Sequence, residues 1–351
     1  MRKILDDQSY YLVAYEPNPE TFDPANRKFN KLEVKVNRAN AKVRTRSGFI
    51  NIADRTTEAA TPVNQTPIQQ LARALTSPFA VNGISLRLNA LFGNDAKIGS
   101  YVRSLLHIDA SGLKFTDQPD GSKRAEFMVL GASFGDNGQP VDQIERSYGL
   151  TVRGETYKKI LTDGFIYQFV FPVKKPGAYQ YRVAIRDISS GRIGSASQFI
   201  DVPKVKKDNL TLSSIALESL TGEQWNQASN GASAATDPLS YTALRRIKSG
   251  TILRYGFEVF GARADGSNKP HLLKRTRVFR DGKLILDGRP APVGINGQKD
   301  LQRINELGAI AIAIGEKMES GDYILQIIVT DTLAPAKRQT TTQFVQFEVV
   351  P

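Results

Sequence analysis

A repeated spacing constrains this chain more tightly than anything in its composition. Asp120-Gly121-Ser122 is followed 14 positions after its Asp by Phe134 and 16 positions after it by Asp136, and Asp265-Gly266-Ser267 is followed at the same two offsets by Phe279 and Asp281. Gly177-Ala178-Tyr179 then lies 41 residues beyond Asp136, and Gly321-Asp322-Tyr323 lies 40 residues beyond Asp281. Asp187 and Asp331 each stand 10 residues past those glycines, and the two stretches close alike, on Gln198-Phe199-Ile200-Asp201-Val202 and on Gln343-Phe344-Val345-Gln346-Phe347. One domain has been duplicated. A length of 351 residues leaves room for two copies, each with a core of its own, and a smaller N-terminal segment.

From Phe79 onward the apolar residues come in short alternating runs separated by Gly, Asn-Gly and Asp-Gly, the pattern of a β-sandwich. In each copy Gly-x-Tyr opens an alternating strand, with Tyr181, Val183 and Ile185 in one and Leu325, Ile327 and Val329 in the other; a turn and a last strand follow. This order resembles the late strands of an immunoglobulin-like sandwich, in which a tyrosine near the start of the penultimate strand bonds back to the chain. The Trp and the disulfide of antibody domains are missing, so the likeness is one of architecture. The expectation is a mainly β protein made of two tandem immunoglobulin-like β-sandwiches, residues 61–203 with a short leading helix and residues 204–351, linked by Pro203-Lys204-Val205-Lys206-Lys207-Asp208. The helix is marked by Thr66-Pro67, a capping residue and a Pro at the first helical position, by Ile68, Leu71, Ala72 and Leu75 at i, i+3, i+4 and i+7, and by the stop Ser77-Pro78. The second copy carries two additions, a Ser/Ala/Asn/Gly loop from Gln227 to Asp237 and a short helix from Asp300 to Leu307 ended by Gly308.

Ahead of the repeat, Tyr10-Tyr11-Leu12-Val13-Ala14-Tyr15 reads as a buried strand stopped by Glu16-Pro17-Asn18-Pro19. Leu32, Val34 and Val36 alternate with Lys31, Glu33 and Lys35, Asn37-Arg38-Ala39-Asn40 turns the chain, and Val43 lies between Lys42 and Arg44, which together make a β-hairpin. Eight basic residues stand against one acidic residue between Arg27 and Arg46. Lys31, Lys35, Lys42, Arg44 and Arg46 are therefore the candidate interaction surface, either a solvated strand face or a site for an anionic partner. Residues 51–65 read as a linker.

The chemistry is marked mainly by what is missing. The chain has no Cys and two His, His107 and His271, so disulfides, thiolate metal sites and cysteine nucleophiles are excluded and a His-based triad or metal site has little to draw on. The net charge of +12 is spread along the chain, and without a helix-turn-helix, zinc-finger or RNA-binding signature no nucleic-acid partner is expected. The start, Met1-Arg2-Lys3-Ile4-Leu5-Asp6-Asp7, lacks the apolar core of a signal peptide, and the most apolar stretch, Leu307 to Ile314, is far short of a membrane span. Gly131-Ala132-Ser133-Phe134-Gly135 fits the G-x-S-x-G string, but hairpin-turn residues follow it instead of a helix, and the other copy has Val278 and Arg280 at the matching positions. Asp187-Ile188-Ser189-Ser190-Gly191 approaches a D-x-S-x-S metal motif and breaks at Gly191; a turn-stabilising role fits it better. No catalytic, cofactor-binding or metal-ligating residue is assigned, and no cofactor is expected.

The N-terminal run Arg2-Lys3-Ile4-Leu5-Asp6-Asp7 into Tyr10 to Pro17, with Lys31 to Val36 and Lys42-Val43-Arg44-Thr45-Arg46-Ser47-Gly48-Phe49, resembles the closing segment of the VWFA-related (von Willebrand factor type A related) domain of large Acidobacterial proteins. Ala74 to Phe79, Val173 to Tyr179 and Ser195 to Phe199 are similar to the region after that domain. The resemblance implies that residues 1–60 are the strand and basic hairpin remnant of an α/β A domain plus a linker, that the chain is a C-terminal, truncated piece of a larger protein, and that its setting is extracytoplasmic, periplasmic or at the cell surface. It also implies a non-enzymatic structural or protein-interaction module whose partner is the missing A domain or another chain, with self-association through the N-terminal strand edge. The alternative is a β-sandwich that binds carbohydrate or an envelope polymer through exposed aromatics such as Tyr101, Tyr148 or Trp225.

Overall fold

The computed structural model describes residues 29–35, 48–50, 65–77, 79–135, 138–230, 245–295, 297–298, 300–311 and 318–351. The chain divides into two compact units, residues 1–70 and 71–351. In the first, β1 (Phe29–Lys31) pairs antiparallel with β2 (Gly48–Ile50). This antiparallel pair flanks the hairpin expected over residues 31–46; residues 32–35 are coil with Val34 43% exposed, and the turn and second strand of that hairpin lie outside the described residues. Tyr10 to Tyr15, the turn at 37–40, Lys42, Arg44, Arg46 and residues 51–64 of the linker lie outside the described residues.

The helix α1 (Pro67–Thr76) forms as the periodicity requires, with Leu71, Ala74 and Leu75 buried. Thr66 and Gln69 close a capping box: Gln69 N–H donates to Thr66 Oγ1 at 3.4 Å, and Thr66 N–H donates to Gln69 Oε1 at 3.0 Å.

The first sandwich is built from β3 (Leu86–Asp95), β4 (Gly99–Ile108), β5 (Thr116–Asp117), β6 (Lys123–Phe134), β7 (Pro140–Val152), α2 (Gly154–Asp163), β8 (Phe165–Pro172), β9 (Gly177–Asp187) and β10 (Ile193–Val202). A three-stranded sheet, β3-β4-β8, faces a sheet ordered β10-β9-β6-β7, and β5 adds a short pair at the start of β6. Phe92, Leu106, Phe127, Phe171, Tyr181 and Val183 fill the space between them.

The second sandwich runs β11 (Thr211–Leu212), β12 (Ala216–Leu220), α3 (Gly222–Asn230), β13 (Arg246–Lys248), β14 (Ile252–Phe260), β15 (Leu272–Arg280), β16 (Lys283–Asp287), β17 (Ala291–Pro292), β18 (Arg303–Ala311), β19 (Gly321–Asp331) and β20 (Thr340–Val350). It repeats the plan with some strands split and one added. Here β11 and β12 together do the work of β3 beside β14, β18 takes the place of β8, and the larger sheet is ordered β20-β19-β15-β16. The added β13 lies parallel to the end of β20.

The duplication reaches single residues. Phe134 pairs with Gln180 as Phe279 pairs with Ile324, and Phe127 with Asp187 as Leu272 with Asp331. Each copy breaks register at one place, between Ser133 and Phe134 and between Val278 and Phe279, so both carry a β-bulge at the same point of the same strand pair. Tyr179 Oη donates to Lys175 O at 2.7 Å, and Tyr323 Oη donates to Glu319 O at 2.7 Å, each reaching four residues back. The tyrosine expected to bond back to the chain does so twice.

Two expectations for the second copy are overturned. Residues 303–311 are not a helix but strand β18, which pairs with all of β14 from Ile252 to Phe260. A helix there would strip β14 of its partner on that side and leave a row of buried amides unbonded, a cost local helix propensity cannot offset. Asp300 instead accepts from Gln302 N–H at 2.9 Å in a turn, and Gly308 is no helix stop: a Cβ there would come within 2.2 Å of the Tyr255 ring. The expected loop from Gln227 to Asp237 is helical through Asn230, and its remainder lies outside the described residues. The helix α3 opens with Thr221-Gly222-Glu223-Gln224, a capping box like that of α1, with Gln224 N–H on Thr221 Oγ1 at 3.2 Å and Thr221 N–H on Gln224 Oε1 at 2.9 Å. The helix α2, not expected from sequence, buries no residue fully and shows only a short apolar stripe, Tyr157, Ile160 and Leu161 at i, i+3 and i+4.

Candidate interaction surface

An immunoglobulin-like sandwich ordinarily keeps the outward faces of both sheets in water, and here two of those faces are covered. On the first sandwich, Asn89, Leu91 and Leu105 point away from its core and are still buried, with Leu91 and Leu105 packed against Ala216 of the second copy. Phe260, from β14, joins the core of the first sandwich and meets Phe92 edge-on at 6.4 Å between ring centroids. Ser214 N–H donates to Phe92 O at 3.0 Å, and Phe92 N–H to Ser214 Oγ at 2.9 Å, so the open edge of β3 is hydrogen-bonded by the second copy. The same edge is closed one step earlier by Gln198, whose amide exchanges two 2.9 Å bonds with the backbone of Ala90.

Charged groups fix the angle of this joint. Arg245 donates to Asn89 Oδ1 at 2.6 and 3.2 Å, and its burial pulls its pKa down to about 10, which still leaves it charged at neutral pH. Arg303 donates to Glu258 Oε1 at 2.6 Å within its own sandwich and to Asp95 Oδ2 at 3.1 Å across the joint. Asp95 is held below the usual carboxylate range by the Lys97 backbone N–H, with Ile98 N–H and Arg303 adding to it. Beside this arginine a cleft of about 180 Å³ opens between the copies, lined by Asn94, Lys206, Lys207 and Phe260 among others.

The second covered face belongs to the larger sheet of the first sandwich. Leu130, Ala132 and Ala184 point outward from it and are buried. Arg182, on the same face, donates to Leu75 O at 2.6 Å and Ser77 O at 3.1 Å, so a cation meets the carbonyl end of α1 and ties it over the sheet. The matching face of the second sandwich is less deeply buried. Its register places Arg275, Arg277 and Phe279 on β15, Ile324, Gln326 and Ile328 on β19, and Phe344 on β20 side by side. All are half-buried except Phe344, which is 52% exposed. Arg275 and Arg277 share one carboxylate, Asp287, at 2.6 to 3.0 Å.

The residues singled out by sequence fall apart spatially. Lys31 is exposed on β1, and Lys35 pairs loosely with Glu33 at 3.5 Å in water, a contact of little energetic weight; Lys42, Arg44 and Arg46 lie outside the described residues. Ser133 is buried near the end of β6 and its Oγ accepts Asp142 N–H at 3.3 Å. Asp187 and Asp331 are fully buried turn residues: Asp187 Oδ2 takes Ser190 N–H at 2.7 Å, and Asp331 takes Arg263 and Leu333 N–H at 2.9 and 3.0 Å. His107 Nε2 lies 2.7 Å from Asp163 O at the end of α2, and His271 Nε2 lies 2.7 Å from Asp265 Oδ2. Among the described residues no three potential ligands cluster about a metal position, and no helix is long and apolar enough to cross a membrane. The aromatics of the carbohydrate alternative share no exposed face. Tyr101 is buried, Tyr148 packs on Phe127 and Tyr167, and Trp225 is half-buried on α3.

No protein-family model and no curated protein matches the chain. The chain is similar to a solved structure. The fibronectin(III)-like modules of Clostridium thermocellum CbhA align with 76% of this chain and 94% of their own at 11% identity and a TM-score of 0.20. The likeness at that score is too loose to carry anything further.

Proposed function

We propose that the chain is a non-enzymatic structural and protein-interaction module of an exported protein of the VWFA-related kind, working outside the cytoplasm. The observation that carries this reading is the joint. Two sandwiches share a buried interface of Leu91, Leu105, Ala216 and Phe260, braced by Arg245 and Arg303, and so form a stiff spacer with a fixed angle. Side chains suited to chemistry support the reading, because Ser133, Asp331 and His107 bond to a strand, a turn and a helix end, and Asp187 holds its turn through Oδ2.

Two experiments test it. Reading the DNA upstream of the codon for Met1 should reveal an in-frame α/β segment of the A type with an export leader; a stop codon directly upstream, with the chain recovered from the cytoplasm, overturns the assignment to an exported protein. Turnover of p-nitrophenyl esters and glycosides should match buffer for the wild type and for Ser133→Ala alike. Turnover that Ser133→Ala abolishes overturns the non-enzymatic half.

A further inference from the structure

We propose that the first sandwich takes up an extended segment of a partner protein as a fourth strand of its smaller sheet, added to the outer edge of β8. The inference rests on the interaction-module reading and deepens it, by naming a surface and the form of chain that surface accepts. β8 pairs with β4 along all eight of its residues, and among the described residues no strand lies on its other side. Val173 N–H, just past its end, donates to Ser100 O at 2.9 Å. By the alternation of an antiparallel pair, Ile166, Gln168 and Val170 therefore turn their N–H and C=O groups away from β4. An edge of this kind is a template for extended backbone and for little else.

The core beside that edge is unfinished as well. Among the described residues the smaller sheet has three strands against four long ones in the larger. The surplus strand is β7, whose inward row Ile144, Tyr148 and Leu150 packs on the core and is still only half-buried. Tyr148 lies 4.3 Å, centroid to centroid, from the ring of Tyr167 on β8, so this row adjoins the bare edge. The second sandwich shows how such a place is filled. There the chain leaves β15 at Ala291–Pro292, buries Val293, packs Ile295 on the core and reaches β18, the counterpart of β8. Gln298 caps that edge: Asn305 N–H donates to Gln298 Oε1 at 2.7 Å, and Gln298 Nε2 donates to Asn305 O at 2.8 Å. In the first sandwich the chain between β7 and β8 is instead α2, which buries no residue fully.

Backbone and shape choose the occupant, and charge does not. Asp142 and Arg146 stand on the same row of β7, Asp142 is bonded to Lys174 at 2.9 Å, and β8 itself carries no charge. A segment lying along Ile166–Val170 exchanges main-chain bonds with it, antiparallel as the stronger pairing, and lays alternate side chains on Ile144, Tyr148 and Leu150. Those side chains must be apolar, while the ones between them face water. The β8 of a second copy fits worse, because each β8 brings its own β7 beneath that side, and pairing would set two β7 strands under one seam. The partner therefore offers a tail, linker or loop with no second layer of its own.

The test uses the full chain and a labelled peptide, Ser-Val-Thr-Ile-Thr-Val-Thr-Val-Ser, with three controls: the same residues in an order without alternation, a version N-methylated on every Thr, and a version N-methylated on every Val and Ile. The alternating peptide should bind one to one and slow hydrogen exchange at Ile166, Gln168 and Val170. In an antiparallel seam the Thr N–H groups face those three residues, so methylating them should weaken binding at least about tenfold, whereas methylating Val and Ile, whose N–H groups face water, should change it little. Gln168→Pro removes one outward donor and no bond to β4, so it should abolish binding without lowering Tm. If that variant fails to fold, the methylated peptides on the wild type still decide. Equal effects of the two methylations, equally tight binding of the reordered peptide, protection away from β8, or no binding overturns the proposal. So does a concentration-dependent dimer that Gln168→Pro abolishes, which would assign the edge to a second copy. Ester turnover lost with Ser133→Ala would sink the module reading while leaving the β8 footprint intact, so the two failures are separable.

Discussion

In the first sandwich the outward residues Leu130, Ala132 and Ala184 are buried under a covering layer; in the second the same register positions hold Arg275, Arg277 and Ile328, and water reaches them. The frame beneath those faces is shared. Both copies keep the strand order, the bulge beside Phe134 and Phe279, the hydroxyl bonds of Tyr179 and Tyr323, and the buried turn aspartates. The contrast separates two kinds of constraint. Backbone pairing and the inner faces tolerate little change, because a shift of one residue turns every side chain over. An outward face answers only to whatever lies on it. When the two copies came to be covered differently, their outer positions were free to diverge.

The joint offers the largest way to break this comparison, since it makes the copies unequal partners: the second lends Phe260 to the core of the first and, among the described residues, receives none in return. Phe260→Ala should cost about 3–5 kcal/mol, the usual range for an aromatic removed from a core. Calorimetry should show one transition for the wild type and two for the variant. Two transitions in the wild type, with only the second shifted by Phe260→Ala, would mean that the sandwiches are independent and the joint is mere contact.

A smaller effect separates the copies at one conserved residue type. Gln198 exchanges two bonds with Ala90 across the sandwich, whereas Gln343 reaches Ser213 O at only 3.5 Å and turns its oxygen back to Phe344 N–H. Gln198→Ala should therefore cost about 1–2 kcal/mol by leaving two backbone groups of β3 unpaired, and Gln343→Ala much less. Equal losses in denaturant unfolding would show that the edge of β3 is secured by other means.

The tyrosines should show no such difference. Tyr179→Phe and Tyr323→Phe each remove one hydroxyl bond of 2.7 Å to a carbonyl four residues back, and each should cost about 1 kcal/mol. A twofold gap between them would sharpen the comparison, because it would mean that the corner has kept its geometry in both copies and its weight in one.

What could be read from the sequence follows the same division. The repeat, the paired tyrosines and the turn aspartates were legible because backbone register repeats its spacing in the chain. The strand β18 was misread because Leu301, Ile304 and Leu307 also fit a helical period, and only β14, more than 40 residues earlier, decides the matter. The helix α3 had a usable signal in Thr221 and Gln224, the same capping pair that announces α1. The joint left a fainter one, the run Ala90-Leu91-Phe92 buried on both sides of its strand, which marks a sheet covered on both faces. The outward face of the second sandwich could not be found in this way, since Arg275, Gln326 and Phe344 come together only through pairing across three strands.

The smallest expected effect concerns the turns that first revealed the repeat. Asp120 accepts the Ser122 hydroxyl at 2.6 Å and Ser122 N–H at 3.0 Å and is paired with Arg153, and these contacts bring its pKa from the ordinary 3.8 to about 2. Asp265 in the second copy is also held low, chiefly by Lys269 N–H, then by His271 and Ser267 N–H. A carboxylate whose pKa falls on folding stabilises the fold above its unfolded value, and that contribution is lost as the pH drops through the folded one. Both turns should therefore be intact at pH 5 and loosen only below about 4, with Asp120 releasing its contacts down to about 2. Asp120 is exposed and Asp265 partly so, and neither belongs to a core, so the effect belongs to the turns and leaves the sandwiches folded. Side-chain carboxyl shifts followed by NMR would decide. Asp120 titrating at the ordinary value would show that Ser122 and Arg153 do not hold it in solution, and that the two turns share a sequence without sharing a reason for it.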